Sequence, residues 1–436
     1  MPPLIRAGAL LVALTASISG ASRAAADQKF SFGPGPAAPG WVRVAPGALY
    51  TQAQGYGFEP GSDATVVDRG GDDPERRLVL TGSHPFFFSV AEPEGNYTVT
   101  VLFGDPQGGS TTTVKSELRR LEVEELHTEP GRFATRTFTV NLRTPAFVPD
   151  GLVHLKPRER TGEAWDWDEK LTLEFNGEHP CVCSVTVAPA PLVPTVYLAG
   201  DSTVCDQPYE PFNSWGQMLP RFFGPGVAIA NHAESGESLR SFIAEKRLAK
   251  LDTLMRTGDY LFIQFGHNDM KEHGEGVGAF TTYKADLERF VADARAHGAT
   301  PVLVTSVSRR TFGPDGMIQN SFGDYIDAVR RVAKEQGVAL IDLNAKSVAL
   351  YEALGPEGAK ALFPIVRGTI EGTHHDNYGS YEMAKCVVEG IKEDKLPLAG
   401  YLIGDTQPFN PSHPDPLGEF DVPPSPKATT EVPYGK

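Results

Sequence analysis

The apolar pattern of the chain changes once, at the proline-rich segment APAPLVP at residues 188–194. Before it, short β-type runs such as RRLVLTG (76–82) and YTVTVLFG (97–104) are separated by Gly, Pro, Asp and Asn, which is typical of a β-sandwich. After it, apolar runs alternate with longer amphipathic stretches, which is typical of a parallel sheet flanked by helices. The sequence therefore predicts an all-β domain followed by an α/β domain.

The α/β part contains five apolar runs, TVYLAG, VAIAN, DYLFIQF, PVLVTSV and VALIDL, so we expect a five-stranded parallel sheet. Helical spacing of apolar residues over 287–294, 325–332 and 381–391 predicts helices that cover it. A chain of 436 residues exceeds the roughly 100 to 200 residues of one domain. The expected division is a β-sandwich at 27–190, an α/β domain at 191–400 and an irregular tail at 401–436.

Residues 1–26 have the pattern of a bacterial signal peptide. MPPLIR precedes the apolar run AGALLVALTASISG, and the small-residue stretch ASRAAA follows it. A membrane anchor is the alternative, but this run is shorter than the roughly 20 residues that span a bilayer. We expect cleavage after Ala26, a secreted or periplasmic protein, and no membrane partner after cleavage.

The formal net charge of −15 argues against a nucleic-acid partner, because phosphate binding depends on clustered Lys and Arg. A neutral sugar is compatible with this charge, and an acidic polysaccharide would need a local basic patch. Four cysteines are too few to build a disulfide-based fold of this length. Pairing of Cys205 with Cys386 stays open, as do calcium in the sandwich and the oligomeric state.

Ligands of open parallel sheets bind at the carboxyl ends of the strands, and candidate catalytic residues follow four of the five runs. Ser202 follows the first, Gly236 the second, Asn268 the third and His374 the fifth. Acyl transfer needs a hydroxyl, a base and donors for a developing oxyanion, and these four residues supply them. Taken singly, each has a plainer interpretation as a helix cap, turn or surface residue. Their common placement favours the catalytic hypothesis.

The segments GDST, NHAESGES, GHND and THH resemble, in this order, the conserved blocks of the SGNH (GDSL-like) hydrolase superfamily. The longer stretches LAGDSTVCDQPYEPFNSWGQML, FIQFGHNDMK, VLVTSVSRR and THHDNYGSYEMAK are similar to rhamnogalacturonan acetylesterases of carbohydrate esterase family twelve. FSVAEPEGNYTVTV and LEFNGEHPCVCSV resemble the N-terminal module of bacterial members, here expected to be a galactose-binding-like sandwich.

The resemblance implies a flavodoxin-like three-layer domain with Ser202 as nucleophile and His374 as base. It assigns the oxyanion hole to Ser202 N–H, Gly236 N–H and the Asn268 amide, and it implies no metal or organic cofactor. The expected reaction removes acetyl groups from a plant cell-wall polysaccharide, most simply acetylated rhamnogalacturonan, through an acetyl-serine. An acetyl xylan or other short-chain esterase is the first alternative, and a non-catalytic carbohydrate-binding protein is the second.

One position departs from the family pattern, because Glu371 stands where an aspartate commonly precedes the histidine. Glu371 is the expected orienting acid, with Asp376 or a backbone carbonyl as alternatives. His375 is the second choice of base, and His267 is expected to shape its loop.

The substrate-binding candidates are Trp215, as one wall of a sugar groove, and Arg309 and Arg310, as partners for a galacturonate carboxylate. A core position for Trp215 and structural salt bridges for the two arginines are the alternatives.

Overall fold

The structure is a computed structural model that describes residues 27–71, 73 and 75–433, so the predicted signal peptide lies outside the described residues. Its N-terminal part consists of strands, with two short 3₁₀ turns at Pro157–Arg160 and Ala164–Trp167. The strands are β1 (Gln28–Phe32), β2 (Val42–Val44), β3 (Tyr56–Phe58), β4 (Ala64–Asp68), β5 (Leu78–Gly82), β6 (Phe86–Ala91), β7 (Gly95–Gly104), β8 (Ser110–Ser116), β9 (Arg120–Thr128), β10 (Phe133–Leu142), β11 (Ala146–Phe147), β12 (Gly151–Leu152), β13 (Lys170–Asn176) and β14 (Cys181–Pro189).

The C-terminal part alternates strands and helices. In chain order these are β15 (Thr195–Gly200), α1 (Trp215–Met218), β16 (Ala228–Asn231), α2 (Leu239–Ala244), α3 (Arg247–Leu254), β17 (Tyr260–Gln264), α4 (Lys284–Ala296), β18 (Thr300–Val304), α5 (Tyr325–Gln336), β19 (Ala339–Ile341), α6 (Leu343–Gly358), β20 (Ile365–Val366), β21 (Thr369–Ile370) and α7 (Asn377–Glu393). None of the helices in the described part is long and apolar enough to span a bilayer.

Two sheets of the N-terminal part face each other across one apolar core. One sheet contains β10, β7, β14, β1 and β2, and the other has the order β3-β6-β13-β8-β9. Alternate residues of both sheets point into this core, as expected for packed β-sheets. They include Val99 and Val101 of β7 and Leu171 and Leu173 of β13. The finer galactose-binding-like assignment stays a prediction.

The five strands β19, β18, β17, β15 and β16 pair in parallel in that spatial order, which is 2-1-3-4-5 when read from β16. Side chains alternate along each strand, so each strand presents residues on both faces of the sheet. Helices cover both of these faces. Val196 and Leu198 of β15 pack with α1, α6 and α7, whereas Tyr197 and Ala199 pack with α2 to α5. The chain order reverses beside β15, and ligand sites form at such a switch point.

The five parallel strands expected from the sequence are part of a larger sheet. β16 is not a free edge, since Val140 of β10 pairs with Ile229 of β16 in parallel and joins these strands to the larger N-terminal sheet. The result is one mixed sheet of twelve strands. An exposed edge strand leaves backbone donors and acceptors unpaired, and β10 covers part of that edge.

The segment after α7 crosses the surface largely without regular structure and returns to the N-terminal part. Lys115 Nζ donates to Pro423 O at 2.6 Å, and Ser425 Oγ donates to the Glu174 carboxylate at 2.7 Å. Farther on, Thr429 N–H donates to Glu210 O at 2.7 Å. The described tail is therefore irregular but tied to both halves of the molecule.

Candidate active site

Ser202 and His374 meet at the carboxyl edge of the parallel strands. Ser202 follows β15 and His374 precedes α7, and Ser202 Oγ lies 2.9 Å from His374 Nε2. Both residues are 1% exposed. A hydroxyl within hydrogen-bond reach of a buried imidazole is the arrangement from which a base can take the serine proton.

The loop that carries His374 is shaped by two carboxylates. Glu371 Oε2 accepts the backbone N–H of Thr373 and, at 2.6 Å, that of His374. The same oxygen lies 3.7 Å from His374 Nδ1, which is beyond hydrogen-bond length. The Asp376 carboxylate instead accepts Gly379 N–H at 2.9 Å and caps α7. Glu371 is thus the carboxylate placed beside the imidazole, although its direct hydrogen bonds go to the backbone.

The other two histidines of these motifs, His375 and His267, contact residues outside the Ser202–His374 pair. His375 Nε2 lies 2.7 Å from Tyr351 Oη, and its ring stacks on Phe363 at 4.7 Å. Burial lowers the pKa of His375 to about 3, so this ring is neutral at physiological pH. His267 Nδ1 lies 3.3 Å from Asp201 Oδ2, and this contact links the loops after β15 and β17. Within the described part of the chain, neither histidine forms a hydrogen bond with Ser202 Oγ.

The predicted oxyanion donors lie on the loops after β15, β16 and β17. Among the described residues, no hydrogen bond occupies the backbone N–H of Ser202 or Gly236. Gly236 has a φ of 83°, a left-handed conformation that favours glycine. Asn268 Nδ2 donates to Glu237 O at 2.9 Å, which leaves the second amide proton for a ligand. The loops that bear the donors are therefore tied to each other.

Two cations of the N-terminal part hold the Gly236 loop. Lys156 Nζ donates to Ser235 O at 2.9 Å and also contacts the buried Glu237 carboxylate. Arg158 contacts Glu234 and Ser235 O. The Ser235 carbonyl and the Glu234 and Glu237 carboxylates, which surround Gly236, are thus held by residues from the opposite half of the molecule.

Two arginines at the start of β9 hold the loop that follows Ser202. Arg119 Nη1 donates to Gln207 O at 3.1 Å and to Phe212 O at 2.7 Å. Arg120 Nε donates to Asp206 Oδ2 at 2.6 Å. Gln207 Nε2 in turn donates to Ser202 O at 2.7 Å. These contacts connect the N-terminal sheets to the backbone of the candidate nucleophile.

The prediction for Trp215 as a groove wall is wrong. Its side chain is 1% exposed, and its Nε1–H donates to Gln264 Oε1 at 2.9 Å. Burial of an indole ring favours the folded state as long as the N–H finds an acceptor, and Gln264 provides one. Trp215 therefore belongs to the core under the site.

Arg309 and Arg310 lie beside the histidine loop, and neither forms an ion pair within the described part of the chain. Arg310 N–H donates to Gly372 O at 2.8 Å, which ties this segment to the loop of His374. Arg309 Nη1 contacts Met270 Sδ and Ser321, and its guanidinium lies 4.9 Å from the centre of the Phe322 ring. Both side chains are partly exposed. The alternative of structural salt bridges does not describe them.

Three buried carboxylates, Glu159, Glu163 and Glu234, offer oxygens within 4.8 Å of one another. Guanidinium groups already contact this cluster, because Arg247 Nη2 lies 2.6 Å from Glu159 and Arg158 contacts Glu234.

All four cysteines are free thiols and buried, so the structure does not contain the bond between Cys205 and Cys386 that the sequence left open.

Taken together, the site has a serine hydroxyl on a buried imidazole, a nearby carboxylate, and unoccupied N–H groups at the switch point of a parallel sheet. This arrangement can carry out acyl transfer, and it is typical of hydrolases with an α/β core.

The comparisons with known proteins give the family. Residues 198–363 match the GDSL-like Lipase/Acylhydrolase family. Rhamnogalacturonan acetylesterase RhgT of Bacillus subtilis (strain 168) is 45% identical over 48% of this chain and 94% of its own length. The probable rhamnogalacturonan acetylesterase YesY of the same organism is 38% identical over 48% of this chain and 97% of its own length. The chain belongs to the GDSL-like lipase/acylhydrolase family and is a carboxylic ester hydrolase.

A third relative extends into the N-terminal half. The uncharacterized esterase YxiM of Bacillus subtilis (strain 168) is 28% identical over 84% of this chain and 91% of its own length. The resemblance inferred from the sequence motifs is therefore confirmed at the level of the family.

Sequence reasoning missed the residues that support the site from the N-terminal half. Lys156, Arg158, Arg119 and Arg120 lie outside the α/β part, where no catalytic motif points to them. The one signal is the adjacent pair Arg119-Arg120 at the start of a run otherwise interpreted as a strand. Two cations entering a buried strand require acidic or carbonyl partners from elsewhere in the fold.

Proposed function

We propose that the protein is a secreted or periplasmic carbohydrate acetylesterase that removes acetyl groups from rhamnogalacturonan. The observation that carries the chemistry is the 2.9 Å contact between Ser202 Oγ and His374 Nε2 in a buried setting. The relatives named rhamnogalacturonan acetylesterase support the substrate, and the signal-peptide pattern of residues 1–26 supports the location.

In the proposed cycle, Ser202 Oγ attacks the acetyl carbonyl carbon while His374 Nε2 takes the hydroxyl proton. The carbonyl oxygen becomes negative and is stabilised by the N–H groups of Ser202 and Gly236 and by the Asn268 amide. The bond from the acetyl carbon to the sugar oxygen then breaks, and the imidazolium protonates that oxygen. Water activated by His374 next attacks the acetyl-serine, which releases acetate and restores the Ser202 hydroxyl.

The charge beside the site supports a pectic substrate. Arg309 and Arg310 are cations without carboxylate partners among the described residues, in a chain whose formal net charge is −15. A guanidinium that flanks the histidine loop can bind a galacturonate carboxylate through two parallel hydrogen bonds. Acetylated xylan and aryl acetates do not carry a galacturonate carboxylate. The two arginines would therefore favour a polysaccharide with an acidic backbone.

The substrate is tested by measuring acetate release from acetylated rhamnogalacturonan and acetylated xylan side by side. We expect a higher kcat/KM on rhamnogalacturonan, and the double variant Arg309→Gln with Arg310→Gln should lower that preference about tenfold or more. A wild-type preference for xylan would overturn the substrate. Release of acetate from neither polymer, and no labelling of Ser202 by a fluorophosphonate, would favour a non-catalytic binding protein.

A further inference from the structure

A cavity of about 210 Å³ lies between the two halves of the molecule and the tail. We call it the tail pocket. It is walled by residues 158–163 of the N-terminal part, 207–212 of the loop after Ser202, Ser235, and 429–433 of the tail. Pockets for drug-sized ligands have volumes of roughly 300 to 1,000 Å³, so the tail pocket has room for a single small unit.

The walls of the tail pocket contact the Ser202 backbone and the His374 ring, and they include the residue before Gly236. Gln207 Nε2 donates to Ser202 O, and the Phe212 ring meets the His374 ring edge-on with centroids 6.1 Å apart. Ser235 directly precedes Gly236. A unit bound in this pocket would therefore adjoin the loops that carry the catalytic groups.

The tail side of the pocket is held in place by specific bonds. Glu210 N–H donates to Lys427 O at 2.8 Å, and Thr429 N–H donates back to Glu210 O at 2.7 Å. The Lys427 ammonium lies 4.3 Å from the centre of the Trp165 ring. Main-chain pairing on one side and a cation–aromatic contact on the other fix the tail as a wall.

The lining combines one partly exposed aromatic ring with polar groups and with apolar side chains such as Val432. Tyr209 is half-buried, and its hydroxyl lies so close to Gly162 that a Cβ there would approach it to 2.4 Å. Thr429 and Glu431 bring hydrogen-bonding groups from the tail. A ring face with a few convergent polar groups is the usual construction of a small-ligand pocket.

We propose that the tail pocket binds an uncharged glycosyl unit that neighbours the acetylated sugar on the same polysaccharide chain. An acidic unit is disfavoured because Arg158 is already in contact with Glu234, and Glu431 and Glu163 both line the space. Burial and the neighbouring Glu234 carboxylate raise the pKa of Glu163, and Arg158 Nε lies 3.4 Å from Glu163, so this cation of the lining is already paired with carboxylates. The inference rests on the proposed carbohydrate acetylesterase function.

The test compares kcat/KM on an acetylated rhamnogalacturonan oligosaccharide of several sugar units with kcat/KM on an aryl acetate. For Tyr209→Ala we expect the ratio of the two constants to fall about tenfold, because an aromatic contact is lost only for the longer substrate. Tyr209→Phe retains the ring and should keep the ratio within about twofold of wild type.

A second variant reaches the pocket from the tail. Val432→Trp fills the space without altering the loop after Ser202, and it should lower the same ratio. An unchanged ratio in both Tyr209→Ala and Val432→Trp would overturn the tail pocket as a sugar site. If the wild type hydrolyses the aryl acetate but no acetylated oligosaccharide, the proposed substrate class fails instead.

Discussion

Glu371 Oε2 lies 3.7 Å from His374 Nδ1, and the same oxygen accepts the backbone N–H of His374 at 2.6 Å. The carboxylate thus holds the loop through the main chain and acts on the imidazole through charge. Because Glu has one methylene more than Asp, its carboxylate can fold back on the backbone of its own turn. A histidine oriented mainly by its backbone needs the acid less than a hydrogen-bonded triad does.

Glu371→Gln should therefore lower kcat on an aryl acetate by about 10- to 100-fold, less than the roughly 10⁴-fold cost of disrupting the acid in a hydrogen-bonded triad. KM should change little, because Glu371 has no expected contact with the acyl group. Asp376→Ala is the control, because it removes the cap of α7 and should change thermal stability more than kcat, whereas Asn would keep a capping oxygen. Equal effects of both substitutions on kcat would contradict the distinction between the two acids.

The shared sheet and the buried arginines predict that the two halves unfold together. Arg120→Met should lower the free energy of unfolding by about 3–5 kcal/mol, because the buried Asp206 carboxylate loses its close guanidinium partner, while Asp166 keeps its pair with Arg143. Urea unfolding followed by fluorescence and by loss of esterase activity should give coincident transitions. Two separated transitions in the wild type would show that the N-terminal half is an independent module.

Trp215→Phe tests the core position of this side chain. The substitution removes the donor to Gln264 and leaves a buried acceptor, so the free energy of unfolding should fall by about 1–3 kcal/mol. KM for the acetylated polysaccharide should stay within about twofold of wild type, whereas a groove wall would lose affinity on losing its indole. A raised KM without a loss of stability would instead support Trp215 as a wall of the sugar groove.

Glu122 gives the protein a pH-dependent stability. Burial raises the pKa of its carboxyl from 4.5 to about 8, although the Ser116 hydroxyl donates to it at 2.7 Å. The unfolded chain loses this proton near its ordinary pKa while the folded chain keeps it, so the unfolding free energy falls as pH rises from 4.5 to about 8. The stability from the protonated carboxyl is complete below that range and is lost above it.

Glu122→Gln should flatten this dependence. Between about pH 5 and pH 8, the wild type should lose on the order of 1–3 kcal/mol more unfolding free energy than the variant. Urea titrations at several pH values measure the difference. Parallel pH dependences of the two proteins would contradict a protonated Glu122 in the folded state.

The sequence predicts secondary structure and motif residues well where a single side chain or a single apolar periodicity determines them. Apolar spacing locates α4, α5 and α7, and Ser202 and His374 follow from their motifs at the ends of strands. The local sequence cannot reveal that β10 joins β16, because pairing between distant strands depends on tertiary packing.

The same limit explains Trp215 and the arginines. In the sequence, a tryptophan near a nucleophile is equally compatible with a sugar groove and with the core. The folded structure decides between them, because it brings Gln264 to the indole N–H. Arg119 and Arg120 act on a loop more than 80 residues away in the chain, so only the folded arrangement relates them to Ser202.

The central claim is that Ser202 is the nucleophile activated by His374. The most direct measurement is mass spectrometry of the protein after reaction with a fluorophosphonate, together with turnover of an aryl acetate by wild type and Ser202→Ala. We predict one modification on Ser202 in the wild type, none in Ser202→Ala, and a loss of at least roughly 10³-fold in kcat with an unchanged melting temperature. Labelling at another residue, or wild-type turnover by Ser202→Ala, would contradict the account.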